Sequence, residues 1–174
     1  ALTGTDAASF SIDATTGQVK LLTPADFETK SSYSITVNAK DASNTTTQAV
    51  TLNVTDANEA PTNVSLSASS VAENSATTSA LTIGTLNSTD PDTSNTFTYS
   101  IVGGADQASF QVSGATLQFR AGPTLDYETK SSYAVTVRST DQGGLTYDRA
   151  LTITLADAND TPRLTAPGAQ TITL

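Results

Sequence analysis

The residues of this chain that could do chemistry are its carboxylates. Seventeen Asp and Glu stand against eight Lys and Arg, with no His and no Cys. Thirteen of the seventeen acids fall in short motifs. These are Glu73-Asn74, Asp90-Pro91-Asp92, the pairs Asp26/Glu28 and Asp126/Glu128, the single acids Asp41 and Asp141, and the runs Asp56-Ala57-Asn58-Glu59 and Asp157-Ala158-Asn159-Asp160. Only Asp6, Asp13, Asp106 and Asp148 lie outside them. Most of the motifs sit at the ends of predicted strands or in turns, which gather at the two poles of a sandwich. An i, i+2 spacing on extended backbone points both acids the same way, so the motifs are expected to converge where one module meets the next. Two carboxylates about 4 Å apart repel by roughly 4 kcal/mol at an effective dielectric near 20. A cluster of them needs a compensating cation. Oxygen ligands with no His or Cys nearby select calcium, while magnesium demands stricter geometry and zinc favours nitrogen or sulfur. The Asp-x-Glu pairs also have the composition of a glycosidase acid/base couple. That chemistry needs two carboxyls facing each other across a cleft, whereas these are adjacent and duplicated, so no enzyme is expected.

Composition narrows the field further. The chain has 174 residues, a formal charge of −9 and neither Met nor Trp. Without Cys and His there is no Ser-His-Asp triad, zinc finger or disulfide. The acid excess argues against nucleic acid, which is bound by clustered Lys and Arg. No apolar run approaches the ~20 residues that span a bilayer, so no membrane insertion is expected. Low charge, absent Cys and acidity suit an extracellular protein stiffened by calcium instead of disulfides.

The elements that must position these acids are repeated. Asp26-Phe27-Glu28-Thr29-Lys30-Ser31-Ser32-Tyr33 returns as Asp126-Tyr127-Glu128-Thr129-Lys130-Ser131-Ser132-Tyr133, and Ala8-Ser9-Phe10 returns as Ala108-Ser109-Phe110. The chain therefore reads as a window on a tandem array with a module of about one hundred residues. Residues 1–59 read as the later part of one module, entered inside a strand. Residues 60–160 form a complete module, and 161–174 read as the first strand of a third. Within the complete module, Val64/Leu66, Leu81/Ile83, Phe97/Tyr99/Ile101, Leu117/Phe119, Tyr133/Val135/Val137 and Leu151/Ile153/Leu155 alternate with polar residues. That is the period of strands with one buried face. With a short strand over 109–112 this predicts seven strands. Lys30 and Lys130 are expected as solvated turn residues, and Tyr147 is the one aromatic outside the core pattern.

The ordered motifs resemble those of cadherin repeats, bacterial cadherin-like domains in particular. The resemblance rests on Ala72-Glu73-Asn74, Asp90-Pro91-Asp92, Thr98-Tyr99-Ser100-Ile101 with Gly103-Gly104, Leu125-Asp126-Tyr127-Glu128, Asp141 and Asp157-Ala158-Asn159-Asp160-Thr161-Pro162. It implies an all-β fold of tandem seven-stranded Greek-key sandwiches, with up to three calcium ions bound between successive modules. Carried over by position, it implies a first site of Asp26, Glu28, Asp56, Asn58 and Glu59 with Asp90, Asp92 and Asp141. Backbone carbonyls of Ala57, Ala60 and Asn95 would complete that set. The implied second site uses Glu73, Asp126, Glu128, Asp157, Asn159 and Asp160. Glu59 departs from the family's Asp by one methylene, and both linkers are one residue shorter before the Pro. No Trp is present to support strand-swap adhesion of the vertebrate kind.

The function expected is a calcium-rigidified extracellular spacer or adhesion module in a large secreted or cell-surface protein. Its partners are then neighbouring repeats of the same chain. The alternatives are a module binding polysaccharide or like chains through sandwich loops, and a filament subunit with modules completed between chains.

Overall fold

The structure, a computed structural model, describes residues 1–161. Of the expected third-module strand, only Thr161 falls within them. The chain divides into two compact units, Ala1–Ala60 with Asp90–Asn95, and Pro61–Thr89 with the chain from Thr96 onward. Both are built of β-strands, as the period-two alternation of branched and aromatic residues requires. No helix among the described residues is long and apolar enough to cross a membrane.

The second unit is a two-sheet sandwich. Its strands are β6 (Asn63–Leu66), β7 (Ser70–Ala72), β8 (Leu81–Thr89), β9 (Thr98–Gly103), β10 (Phe110–Ser113), β11 (Thr116–Phe119), β12 (Ser132–Thr140) and β13 (Thr146–Ala156). One sheet runs β10-β11-β8-β6 and the other β7-β13-β12-β9. The first of the seven expected strands is shared between the sheets: β6 pairs antiparallel with β8, then β7 pairs parallel with β13. The backbone changes sheet beside Gly84, where a Cβ would lie 2.9 Å from the Ala68 backbone. Only a glycine admits that approach.

The core between the sheets is apolar and aromatic. Phe110, Leu117, Phe119, Val137 and Ile153 are fully buried. Phe110 stacks on Phe119 at 4.7 Å between ring centroids, and Tyr133 meets Phe119 edge-on at 5.1 Å. Each such side chain contributes about 1.5–3 kcal/mol by leaving water. Gly104 follows β9 at φ +101°, and a Cβ there would lie 2.5 Å from the Val135 Cα.

The first unit comprises β1 (Leu2–Thr3), β2 (Phe10–Ile12), β3 (Val19–Leu21), β4 (Ser32–Lys40) and β5 (Thr45–Asn53). They form a sheet β1-β4-β5 and a hairpin β2-β3. Phe10, Tyr33 and Ile35 are its buried apolar residues, with Leu2, Val19, Leu21 and Val54 packed against them. The β4-β5 ladder repeats that of β12-β13, with Ser32 opposite Asn53 where Ser132 faces Thr154. The repeat shift is 100 before this hairpin and 101 after it. The extra residue sits in the turn, where Asp141–Leu145 replaces Asp41–Asn44.

Candidate metal centres

In the first unit the chain leaves β5 with the Val54 amide bonded to the Ser31 carbonyl at 2.9 Å. The residues that follow bring Asp56 and Glu59 together with Glu28 and Asp92, and their carboxylate oxygens lie within 4.8 Å of one another. Asp92 is held in place by two bonds: its Oδ2 accepts the Glu59 amide at 2.9 Å, and its own amide donates to Asp90 Oδ1 at 3.0 Å. The second is the local turn that Asp-Pro-Asp favours. Asn95 Nδ2 donates to the Asp92 carbonyl at 3.2 Å and fixes the far side of the loop. Two carboxylate oxygens, Glu59 Oε2 and Asp90 Oδ2, are buried with no hydrogen-bond partner among the described residues. Burial, the hydrogen bond with Asp92 and the charges of Glu28, Asp92 and Asp56 push the Glu59 carboxyl above its usual range.

In the second unit Glu73, Glu128 and Asp160 form a group of the same kind. Glu73 is buried, with Oε2 accepting the Tyr127 amide at 2.8 Å and Oε1 accepting the Ala158 amide at 2.7 Å. Asn74, at φ +56°, turns so that its Nδ2 donates to Asp160 Oδ1 at 3.0 Å. The sequence signal for this contact was the Glu73-Asn74 motif itself, although Asn74 was not among the expected ligands. A backbone hydrogen bond pulls the Glu128 carboxyl down. Burial and the charges of Glu73, Asp160 and Asp157 outweigh that bond, and the net shift is upward.

The other expected ligands are placed as follows. Asp26 and Asp126 do not extend beside their Glu partners, because both pairs sit on a turn and not on extended backbone. Asp26 Oδ1 accepts the Thr29 amide and Oδ2 the Thr29 hydroxyl, as Asp126 does with Thr129. The Thr29 and Thr129 amides are the main reason these two carboxyls lie below the usual range. Each oxygen keeps a second lone pair. Asp141 is buried in the second unit, where Oδ1 accepts the Leu145 amide, and Asp41 accepts the Ser43 and Asn44 amides at the matching turn. Asn58 and Asn159 each bond the carbonyl of the next residue, Glu59 and Asp160. Ala57 and Ala60 flank Glu59 outside any strand, and Asp157 is exposed.

Two smaller expectations are corrected. Lys30 and Lys130 are not simply solvated. Lys30 pairs with Asp6 at 2.8 Å, Lys130 pairs with Asp106, and each ammonium lies over a ring, 5.3 Å from Tyr33 and 4.9 Å from Tyr133. The two ion pairs bridge residues 24 apart in sequence, which no local pattern reveals. Tyr147 packs partly against the core, and the exposed tyrosine is Tyr127.

The donor set fits calcium. Both groups offer only hard oxygen ligands, and in and beside the first, Glu59 Oε2 and Asp90 Oδ2 are buried with no hydrogen-bond partner among the described residues. Carboxylate oxygens held away from water beside like charges are unfavourable, and a divalent cation would offset that.

A β-sandwich unit with acidic groups at these positions is the architecture of an adhesion-type ectodomain repeat. The cadherin domain family matches residues 1–55 and 67–173, and the chain belongs to that family. Rat protocadherin Fat 2 is 28% identical over 166 residues, covering 91% of this chain and 4% of the relative. Mouse protocadherin Fat 4 is 32% identical over 161 residues, covering 87% of this chain and 3% of the relative. The chain thus spans a small fraction of the proteins it matches. Among solved structures, human protocadherin-24 EC1-2 superposes with a TM-score of 0.69 at 20% identity, over 91% of this chain and 81% of that one. The protocadherin gammaB7 EC3-6 cis-dimer gives 0.60 at 26%, over 92% of this chain and 39% of that one. Cadherin repeats are extracellular, non-enzymatic adhesion modules that typically bind calcium between domains. The expectations of an all-β sandwich, no enzyme and an extracellular location hold on that ground.

Proposed function

We propose that this chain is a calcium-stiffened spacer within a long extracellular adhesion protein, a stalk or matrix adhesin whose modules project a binding region. The observation that carries the reading is the first acid group, four converging carboxylates beside buried oxygens with no partner. Glu28, Asp56, Glu59, Asp90 and Asp92 would hold one set of ions, with Asp26, Asn58, Asp141 and the carbonyls of Ala57, Ala60 and Asn95 as the remaining expected ligands. Glu73, Asp126, Glu128, Asp157, Asn159 and Asp160 would hold the other. Bound calcium supplies positive charge where the protein has concentrated negative charge. The chain's own contribution is to hold the acids in place, through Asp92 on the Glu59 amide and Glu73 on the Tyr127 and Ala158 amides. A bacterial surface or biofilm protein is part of this proposal, as is its division into modules at 59/60 and 160/161. Neighbouring repeats are its first partners. Like chains are the second, a reading favoured by the cis-dimer formed by protocadherin gammaB7. Polysaccharide binding has weaker support, since Tyr147 packs against the core.

Small-angle scattering of the chain in calcium and in chelator tests the proposal. The expected result is a larger maximum dimension and a narrower distribution of lengths in calcium. Equal dimensions in the two buffers would overturn it.

A further inference from the structure

Two of the four acids outside the metal motifs, Asp6 and Asp106, lie 100 residues apart in register. The fold gives both the same surroundings. Asp106 Oδ2 accepts the Ala134 amide at 2.8 Å, and the Asp106 amide donates to the Ala134 carbonyl at 3.0 Å, which fixes this acid on β12. Asp6 is fixed on β4 in the same way, by the amide and the carbonyl of Ser34 at 2.7 and 3.2 Å. The other oxygen, Oδ1, takes the ammonium of Lys30 in the first unit and of Lys130 in the second. The Asp6 and Asp106 side chains are only 12% and 16% exposed, so water and salt screen these pairs less than an open surface pair.

Each lysine also ends the turn that carries a glutamate of the acid groups. The Lys30 amide donates to the Asp26 carbonyl and the Lys130 amide to the Asp126 carbonyl, both at 2.9 Å. With Thr29 and Thr129 bonded back to the same aspartates, each turn is held together from within. Bonds inside a turn do not set the direction in which it points. The lysine side chain does, because it leaves the turn, lies over Tyr33 or Tyr133, and reaches an acid anchored on the following strand. In the second unit the bond from the Tyr127 amide to Glu73 adds a further tie.

We propose that Lys30 and Lys130 are positioning residues for the metal groups. Each acts through its aspartate to aim the turn that presents Glu28 or Glu128. This role rests on the calcium reading above. Its sign separates it from plain electrostatics. A positive charge two residues from a ligand carboxylate repels a cation, so on charge alone its removal would tighten calcium binding. Loss of a residue that orients a metal ligand instead weakens binding, typically by about 10–100-fold.

NMR of the isotope-labelled 174-residue chain, titrated with calcium and followed at the Thr29 and Thr129 amides, gives each group its own binding curve. Lys30→Met keeps an apolar stem over Tyr33 and removes the ammonium, whereas Lys30→Arg keeps the charge and the pairing with Asp6. The expected result is a Thr29 curve displaced to about tenfold higher calcium in Lys30→Met and close to the parent in Lys30→Arg. The Thr129 curve is expected to stay in place, which shows that the variant is folded, and Lys130→Met should reverse the pattern. Asp6→Asn should match Lys30→Met, and the double variant should be no weaker than either single one, as members of one contact behave. In chelator the order parameter of the Glu28 amide is expected to fall in Lys30→Met, because the turn has lost its aim. A Thr29 curve that is unchanged or moves to lower calcium in Lys30→Met, or an unchanged order parameter at Glu28, overturns the positioning role and leaves the calcium reading standing. A parent chain whose Thr29 and Thr129 amides do not respond to calcium overturns both.

Discussion

Glu59 and Asp106 illustrate opposite ways of keeping a carboxylate in a folded protein. Asp106 is held by the Lys130 ammonium and the Ala134 amide, which lower its pKa, and Asp6 is held in the same way by Lys30 and Ser34. A carboxyl whose folded pKa is depressed contributes stability above its unfolded value of 3.8, and that stability is lost as pH falls through the folded value. Glu59 and Glu128 are raised, so the sign reverses. Without metal, their cost grows as pH rises from the ordinary 4.5 through the raised value. Thermal melts in chelator are therefore expected to show greatest stability in mildly acidic buffer, with a decline toward neutrality that calcium removes. Glu59→Gln isolates the effect. The variant is expected to melt above the parent in chelator, because one repelling charge is gone, and to bind calcium on the order of tenfold more weakly by titration calorimetry. Glu28, Asp56 and Glu59 were legible in the sequence because Glu128, Asp157 and Asp160 repeat them in register, whereas Glu73 and Asp92 stand in motifs that occur once. The capping of Thr29 by Asp26 and the pairing of Lys30 with Asp6 were not legible, since both depend on how a turn folds back.

At the scale of elements, the sandwich of the second unit is held by a few close contacts. Gly104→Ala places a methyl against the Val135 backbone at a positive φ, and overpacking of this kind costs about 1–3 kcal/mol. Phe110→Ala removes the ring stacked on Phe119 at the centre of the core and is expected to cost about 3–5 kcal/mol. Urea unfolding read by tyrosine fluorescence measures both, and a midpoint unchanged in Phe110→Ala would contradict the assignment of the core. Most of these strands are evident from alternation, as in Tyr133/Val135/Val137. Strand β7 is not, because Ser70-Val71-Ala72 offers a single branched apolar residue. Its place is set by pairing with β13, a partner more than eighty residues away.

At the scale of the whole molecule, calcium is expected to act on both units, because each carries its own acid group. Removing calcium should lower the melting temperature of the chain and speed its proteolysis near Asp56–Glu59 and Asp157–Asp160. Mass spectrometry of limited digests in calcium and in chelator would locate the cuts, and identical patterns would contradict a structural role for the ion. The proposed spacer role carries a mechanical demand, and the pairing of β7 with β13 bears on it. These strands lie near the two ends of the second unit and run side by side in the same direction. Tension applied at those ends slides one strand along the other, so the hydrogen bonds joining them must break together and cannot peel away one at a time. A tether made of such units would yield abruptly at a high threshold force.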